Sequence, residues 1–136
     1  MALSKLGVSS DLVTCISDDA IGEYIFKKLE DFNVGSNLCR KVDKKFQTQV
    51  AVVETILKNN QSILYRNNSC DLQLDKQDID KINIQDYSAV FISGTALSSS
   101  PSREAVFYAA EKASTLSIPL IMDMDYRAYN WESDEI

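Results

Sequence analysis

Histidine is absent from this chain of 136 residues, and glycine and proline are scarce, at 4 and 2 residues. Without histidine, the chain contains no Ser-His-Asp triad, no imidazole general base and no histidine metal ligand. The low glycine and proline content excludes collagen-like and low-complexity sequences. No GxGxxG segment follows a predicted strand, and no GxxxxGK segment followed by Ser or Thr occurs. Neither a dinucleotide-binding fingerprint nor a P-loop is therefore predicted.

Paired cysteines, long apolar runs and excess positive charge are missing as well. The three cysteines lie far apart without a secretory signal, which favours a reducing, cytoplasmic environment. No apolar run approaches the roughly 20 residues that a membrane-spanning helix needs, so no membrane partner is predicted. The net charge of −6 opposes binding to nucleic-acid phosphates, so no nucleic-acid partner is predicted. The carboxylates match no metal-ligand spacing, and no metal site is predicted.

The first third of the chain reads as a strand followed by a helix. With 45% hydrophobic residues, the chain is able to form one compact unit with its own core. The apolar run at residues 11–16 predicts a buried strand. Asp18 and Asp19 offer N-cap oxygens to a helix that reaches about Phe32. The predicted core face of this helix has i, i+4 spacing and carries Ile21, Ile25, Leu29 and Phe32.

A β-hairpin interrupts the α/β pattern. Residues 48–56 and 61–67 read as two strands joined at residues 58–60. Three consecutive apolar residues at 51–53 break the strict alternation, which a second covered face or a packing partner would explain. The basic residues within 40–45, just before the hairpin, are interpreted as solvent-exposed charge.

The α/β pattern then resumes. A strand is predicted at residues 89–92, followed by a turn at residues 93–95. Ser100 is predicted to cap a helix that starts at Pro101, where the missing N–H of proline is tolerated. A further strand is predicted at residues 118–124. A strand, a helix and a strand at this spacing predict a parallel βαβ unit.

Polar clusters follow three of the predicted strands, at the sheet edge where open α/β folds bind ligands. They lie at residues 17–19, 93–95 and 123–127. Arg66 on the hairpin and Arg127 in the last cluster carry planar guanidinium groups suited to a carboxylate or phosphate. Each feature also has a plainer interpretation. The aspartates at 18–19 would only cap a helix, and residues 93–95 would only form a turn. Arg66 would be an exposed strand residue, and Asp125 would simply pair with Arg127.

Several segments resemble the PfkB, or ribokinase-like, family of carbohydrate kinases. The stretch at residues 2–34 is similar to the family's early region, with Asp19 and Gly22 in its G-x-D-x-x-G segment and Ser17 replacing the first glycine. Three later segments resemble the family's 5-dehydro-2-deoxygluconokinase branch, namely YRNNSCDLQL (65–74), SGTALSSSPSREAV (93–106) and DMDYRAYNW (123–131).

This resemblance implies a fold class and a division of the chain. We expect a ribokinase-like partial parallel sheet flanked by helices, with an inserted β-hairpin lid. Residues 1–136 would be an internal fragment of a single PfkB-type kinase domain, and residues 46–70 would form the lid. In many relatives the lid closes over the sugar and pairs with a second subunit, so a homodimer through the hairpin is expected.

The resemblance also implies which residues contact the substrate. Tyr65 and Arg66 match lid positions that contact a keto-acid sugar, and Asn67 beside them is suited to sugar hydroxyls. Arg127 matches an arginine that contacts the substrate carboxylate. Asp125 stands where the related ketogluconate branch has asparagine. These five residues are the predicted substrate-binding set.

The activity implied for the intact protein is ATP-dependent phosphorylation of 5-dehydro-2-deoxy-D-gluconate in myo-inositol catabolism, with Mg²⁺. The catalytic base is expected beyond Ile136, so no catalytic or cofactor-binding residue is assigned here, and the fragment alone is expected to be inactive. Three alternatives stay open: a 2-keto-3-deoxygluconate kinase, a ribose or fructose kinase, and a non-catalytic α/β module that associates through its hairpin.

Overall fold

A computed structural model describes residues 1–53, Thr55 and residues 62–126. Its helices are α1 (Ala2–Lys5), α2 (Ala20–Asp31), α3 (Lys76–Asp80) and α4 (Ser102–Thr115). Its strands are β1 (Thr14–Ser17), β2 (Cys39–Val42), β3 (Val50–Val53), β4 (Ser62–Tyr65), β5 (Val90–Ser93) and β6 (Leu120–Asp123). Short 3₁₀ turns span Asp71–Gln73, Ile84–Asp86 and Gly94–Leu97. Within the described part, no helix is long and apolar enough to cross a membrane.

The described strands form three pairs. β1 and β2 are parallel, with Cys15 opposite Arg40, and β5 and β6 are parallel, with Phe91 opposite Ile121. β3 and β4 are antiparallel, with Val50 opposite Tyr65. The parallel pairs and their flanking helices confirm the predicted α/β class and the predicted β5–α4–β6 unit. The antiparallel pair confirms the strands of the predicted hairpin, whose turn at residues 58–60 lies outside the described residues.

β1 is covered on both faces, which explains why its consecutive residues Cys15 and Ile16 are both apolar and buried. Cys15 joins a core that includes residues of α3 and α4, with Ile79 and Ala105 among them. Ile16 points to the opposite core, which Leu29 of α2 and Val34 complete. Because side chains alternate along a strand, adjacent residues of β1 hold two helical layers together.

Two predictions about helix faces and caps need correction. Asp19 caps α2 as expected, because its Oδ1 accepts from the Ile21 and Gly22 amides at 2.9 Å each. Ile21, however, is exposed, and the buried position on that turn is Gly22. α4 begins one residue later than predicted, and the Ser100 hydroxyl donates to Glu104 at 2.6 Å instead of capping the helix.

Strand β2 was not predicted, because its centre is the basic pair Arg40–Lys41. Interpreting this basic run as solvent-exposed charge is wrong for Arg40. Its Nε donates to both oxygens of Asp78, at 2.8 and 3.0 Å, and its Nη2 donates to the Gln73 carbonyl at 2.7 Å. The guanidinium therefore ties β2 to the segment that leads into α3.

Asp78 is the buried partner in this network. Its side chain is only 4% exposed and also accepts from Lys81 at 3.1 Å. Burial raises the pKa of Asp78, but hydrogen bonds from Arg40, Lys81 and the Asp75 amide outweigh burial and lower it to about 2. The carboxylate also closes a capping box with Asp75 at the start of α3.

Candidate functional site

The first strand end is a hydrogen-bonded junction between β1, α2 and the hairpin. The Ser17 hydroxyl donates to Asp19 Oδ1 at 2.9 Å and lies 2.6 Å from the Thr48 hydroxyl. Gly22 is required here, since a methyl group would overlap the Ser17 carbonyl oxygen and lie 3.1 Å from Ile16 Cγ2. The G-x-D-x-x-G-like segment thus has a structural account: Asp19 caps the helix, and Gly22 lets the helix approach the strand.

The ends of β5 and β6 lie against each other. A Cβ atom on Gly94 would overlap the Met124 carbonyl oxygen and lie 3.0 Å from the Asp123 carbonyl oxygen. The Ser93 and Thr95 hydroxyls are 2.9 Å apart on the same turn. Two of the polar clusters predicted from the sequence are therefore brought together at one sheet edge.

The predicted substrate-binding residues occupy different environments. Tyr65 is the last residue of β4, and both it and Asn67 are exposed. Asp125 follows β6 with a left-handed φ of 27°, and its amide donates to Asp123 Oδ1 at 3.2 Å. Arg127 lies outside the described residues.

Arg66 is the most constrained of the set, with a side chain that is 11% exposed. Its Nη2 donates to Asp71 Oδ2 at 3.0 Å and to the Thr95 carbonyl at 3.2 Å. Its Nη1 donates to the Ser98 hydroxyl at 3.1 Å. Arg66 thus connects the end of β4 to the turn that follows β5.

Each strand of the hairpin is therefore anchored to a different parallel pair. Thr48, two residues before β3, contacts Ser17 at the end of β1. Arg66, directly after β4, contacts the turn that follows β5. Residue chemistry alone did not indicate Thr48, Asp71 or Ser98. The only sequence signal was an aspartate five residues after Arg66.

A groove of about 470 Å³ lies between β1 and β5. Its walls are mostly apolar, and its lining includes Asp71, Thr95 and the buried Ser102, whose hydroxyl has no partner among the described residues. Tyr65, Arg66, Asn67 and Asp125 do not line it. The polar part of the lining includes Asp11, whose carboxylate accepts from the Tyr87 hydroxyl at 2.7 Å, and the Asp71 and Thr95 that contact Arg66. We place the candidate site at the strand ends and the hairpin base, where Asp71 and Thr95 meet Arg66.

The thiols and carboxylates of the described region show no catalytic or metal-binding arrangement. Burial raises the pKa of Cys15 to about 12 and that of Cys39 to about 11, which opposes thiolate formation at neutral pH. Burial also raises the pKa of Cys70. No group of three or more potential metal-ligating side chains occurs in the described ranges. We therefore derive no step through a metal or nucleotide from these residues.

Comparison with known proteins gives one concordant result. The model of the pfkB family carbohydrate kinases matches residues 1–136. The 5-dehydro-2-deoxygluconokinase 2 of Bacillus cereus is 38% identical over 134 residues, covering 96% of this chain. An uncharacterized sugar kinase from Pyrococcus horikoshii in complex with ATP superposes with a TM-score of 0.86 at 26% identity, over 98% of this chain. Fructokinase from Xylella fastidiosa superposes over 99% of this chain with a TM-score of 0.89 at 17% identity, which shows a shared fold.

The relatives are longer than this chain. It spans 40% of the Bacillus cereus kinase and 43% of each of the two superposed structures. The superpositions confirm that the parallel pairs, their helices and the hairpin belong to a ribokinase-like fold. The predicted boundaries of the lid at residues 46–70 stay a prediction.

Proposed function

The chain belongs to the pfkB family of carbohydrate kinases, and from this premise we propose that the whole protein phosphorylates 5-dehydro-2-deoxy-D-gluconate with ATP and Mg²⁺. The observation that carries the proposal is the 38% identity to the Bacillus cereus 5-dehydro-2-deoxygluconokinase 2 across 134 residues. A role in myo-inositol catabolism and a cytoplasmic location are part of the same proposal. We expect no turnover by residues 1–136 alone, because no group that accepts the substrate proton is assigned among them.

The proposed contribution of this stretch is one wall of the sugar site and its lid. Tyr65, Arg66, Asn67, Asp125 and Arg127 are the proposed substrate contacts. An arginine binds a carboxylate through two parallel hydrogen bonds, which a lysine cannot do. The placement of Arg66 at the hairpin base, beside the ends of β5 and β6, supports a site at this edge.

Replacing Arg127 with alanine in the whole protein tests acid recognition. We expect the KM for the acidic sugar to rise about tenfold to a hundredfold, because a charge-assisted hydrogen bond contributes about 1.5–3 kcal/mol. The KM for ATP should stay near the wild-type value, because the interaction lost is with the sugar alone. Lys27→Ala, which removes one positive charge from the exposed residues of α2, is the matched control. An unchanged KM for the sugar removes Arg127 from the site.

A 2-keto-3-deoxygluconate kinase and a neutral-sugar kinase for ribose or fructose are the alternatives within the family. The solved fructokinase of the same fold, at 17% identity, supports the architecture without favouring its substrate. Two arginines in the proposed site favour an acidic sugar over a neutral one.

Association through the hairpin is a second proposed role, which does not require catalysis by this stretch. Exposed apolar side chains on one face of the hairpin favour it, where Val50 lies opposite Tyr65 and Val52 lies opposite Ile63. A contiguous exposed apolar patch on a two-stranded sheet is typical of an interaction surface. A second copy of the chain, presenting the same surface, is the proposed partner.

Sedimentation of the whole protein tests this association. We expect a dimer whose dissociation constant rises at least about a hundredfold in Val52→Asp, because the charge would be buried in an apolar interface. Ile21→Asp, at an exposed apolar position on α2, is the control and should leave the association unchanged. A wild-type protein that sediments as a monomer at every concentration contradicts the proposal.

A further inference from the structure

We propose that Asp71 is a positioning residue of the sugar site, because it holds the Arg66 guanidinium on the turn after β5 and so fixes the end of the hairpin beside the strand ends. The inference deepens the proposed function, and it rests on that function only for the effect on sugar binding. The holding of Arg66 itself rests on contacts in the structure alone.

The two carboxylate oxygens of Asp71 have separate partners. Oδ2 accepts from Arg66 Nη2 at 3.0 Å, and Oδ1 accepts from the hydroxyl of Ser69. Ser69 is buried and forms an isolated β-bridge with Gln47, on the other side of the hairpin base. The hydrogen bond from Ser69 therefore orients the Asp71 carboxylate independently of Arg66, as a positioning residue requires.

Arg66 in turn serves three acceptors that lie on two segments. Besides Asp71, it donates to the Thr95 carbonyl and to the hydroxyl of Ser98, which is buried. The Ser98 hydroxyl itself donates to the Thr95 carbonyl at 2.9 Å, so the two acceptors on this turn are also connected to each other. Three acceptors around one planar guanidinium fix its orientation, since its donors form a rigid fork.

The ion pair is well placed to be strong. The side chain of Arg66 is 11% exposed and that of Asp71 is 31% exposed, so solvent and salt screen the pair less than a surface pair. Arg66 Nε is enclosed and has no partner among the described residues. Without Asp71, the guanidinium would therefore keep a buried unpaired donor and lose its only carboxylate neighbour among the contacts described for it.

The turn that Arg66 contacts is also held from its other side. Arg103 of α4 donates to the Leu97 carbonyl at 2.7 Å and to the Ser98 carbonyl at 3.0 Å. Two arginines, Arg66 and Arg103, therefore hold this turn. Thr48 anchors the other strand through uncharged contacts, with the Ser17 hydroxyl at 2.6 Å and with Cys70 Sγ at 3.8 Å. Arg66 with Asp71 is accordingly the stronger of the two anchors.

Two variants of the whole protein test the proposal. Asp71→Asn keeps the size of the side chain and removes its charge. Arg66→Lys keeps the positive charge but replaces the planar guanidinium, which uses two nitrogens for its contacts, with a compact ammonium that has a single nitrogen. Asp31→Asn, which removes the charge of an exposed pair with Lys28 on α2, is the matched control. Hydrogen exchange of residues 63–66 and 95–98 reports the anchor without reference to activity, and the KM values for the sugar acid and ATP report the site.

In Asp71→Asn and in Arg66→Lys, we expect exchange at residues 63–66 to be at least about tenfold faster than in Asp31→Asn. We expect the KM for the sugar acid to rise about tenfold while the KM for ATP stays near the wild-type value. Exchange equal to that of Asp31→Asn overturns the positioning role. Faster exchange with an unchanged sugar KM overturns the link to the site.

The two proposals fail separately. If the whole protein phosphorylates no sugar acid, the proposed function is wrong, and exchange still decides whether Asp71 positions Arg66. If Asp71→Asn loses its global circular dichroism signal, Asp71→Glu replaces it, because this substitution keeps the charge and lengthens the side chain. Its exchange should then lie between those of the wild type and Arg66→Lys, and exchange equal to the wild type would contradict the proposal.

Discussion

Replacing Asp78 with alanine is expected to lower the free energy of unfolding by about 3 kcal/mol, the lower end of the range for breaking a buried ion pair. The lower end applies because the partner Arg40 is 34% exposed and regains some water, whereas Asp78 is 4% exposed. The same substitution removes the capping box at the start of α3. Three hydrogen bonds that join β2 to α3 would be lost together, two from Arg40 Nε and one from Arg40 Nη2 to Asp78.

Chemical denaturation of the whole protein measures this loss, and Asp80→Ala is the control. Asp80 lies on the same helix and pairs with Lys112, but it is 55% exposed, so its removal should cost clearly less stability than the removal of Asp78. The pKa of Asp78 is lowered to about 2, so its stabilising effect is present above its ordinary pKa of 3.8 and is lost as the pH falls toward 2. The difference between the wild type and Asp78→Ala should therefore shrink below about pH 4. An equal loss in both variants would contradict the account.

Gly94→Ala is expected to have the second large effect, a loss of about 3 kcal/mol in stability together with a fall in kcat/KM for the sugar. The added methyl group would overlap the Met124 carbonyl oxygen, and backbone cannot move aside as a flexible side chain does. The clash would separate the ends of β5 and β6, where the proposed contacts Asp125 and Arg127 follow. The turn that receives Arg66 begins at the same glycine.

Gly7→Ala separates this steric cause from the conformational cost of replacing glycine. Gly7 has a φ of 82°, but an added Cβ would meet nothing within 4 Å. Its replacement should cost about 1 kcal/mol and leave kcat/KM unchanged. Thermal unfolding and steady-state kinetics of the two variants distinguish the steric clash at Gly94 from the conformational cost of replacing a glycine. Gly94→Ala with wild-type kinetics would show that the two strand ends tolerate separation.

The sequence predicted the elements whose signals are local. α2 has a cap at Asp19 and a helical apolar period, and β5–α4–β6 follows the spacing of a parallel βαβ unit. The hairpin strands were visible through their β-rich composition. Some element boundaries differ by a few residues from the prediction. For example, the strand predicted at residues 11–16 begins at Thr14, after an isolated bridge at Asp11.

β2 could not be predicted because its stability depends on a distant partner. Arg40 and Lys41 give its centre the composition of an exposed segment. The carboxylate that makes a half-buried arginine acceptable lies 38 residues later, at Asp78. No local pattern links the two positions, so only the tertiary structure shows that this charge is paired.

In the candidate site, too, the features with local sequence signals were predictable and the contacts between distant residues were not. The sequence predicts the clusters at residues 17–19, 93–95 and 123–127 at strand ends because parallel strands end at one edge, and Arg127 of the last cluster lies outside the described residues. The partners of Arg66 were not foreseen, since Asp71, Thr95 and Ser98 meet it only through the packing of the hairpin base. The resemblance to relatives predicts that Arg66 contacts the substrate, and the structure shows that Asp71, Thr95 and Ser98 hold its guanidinium.

Relative kcat/KM values of the whole protein for 5-dehydro-2-deoxy-D-gluconate, 2-keto-3-deoxygluconate, fructose and ribose, with ATP and Mg²⁺, test the central claim most directly. The proposed function predicts that 5-dehydro-2-deoxy-D-gluconate has the highest value and that its phosphorylated product accumulates only when ATP is present. A higher kcat/KM for fructose or ribose, or no ATP-dependent product from either acid, would contradict it.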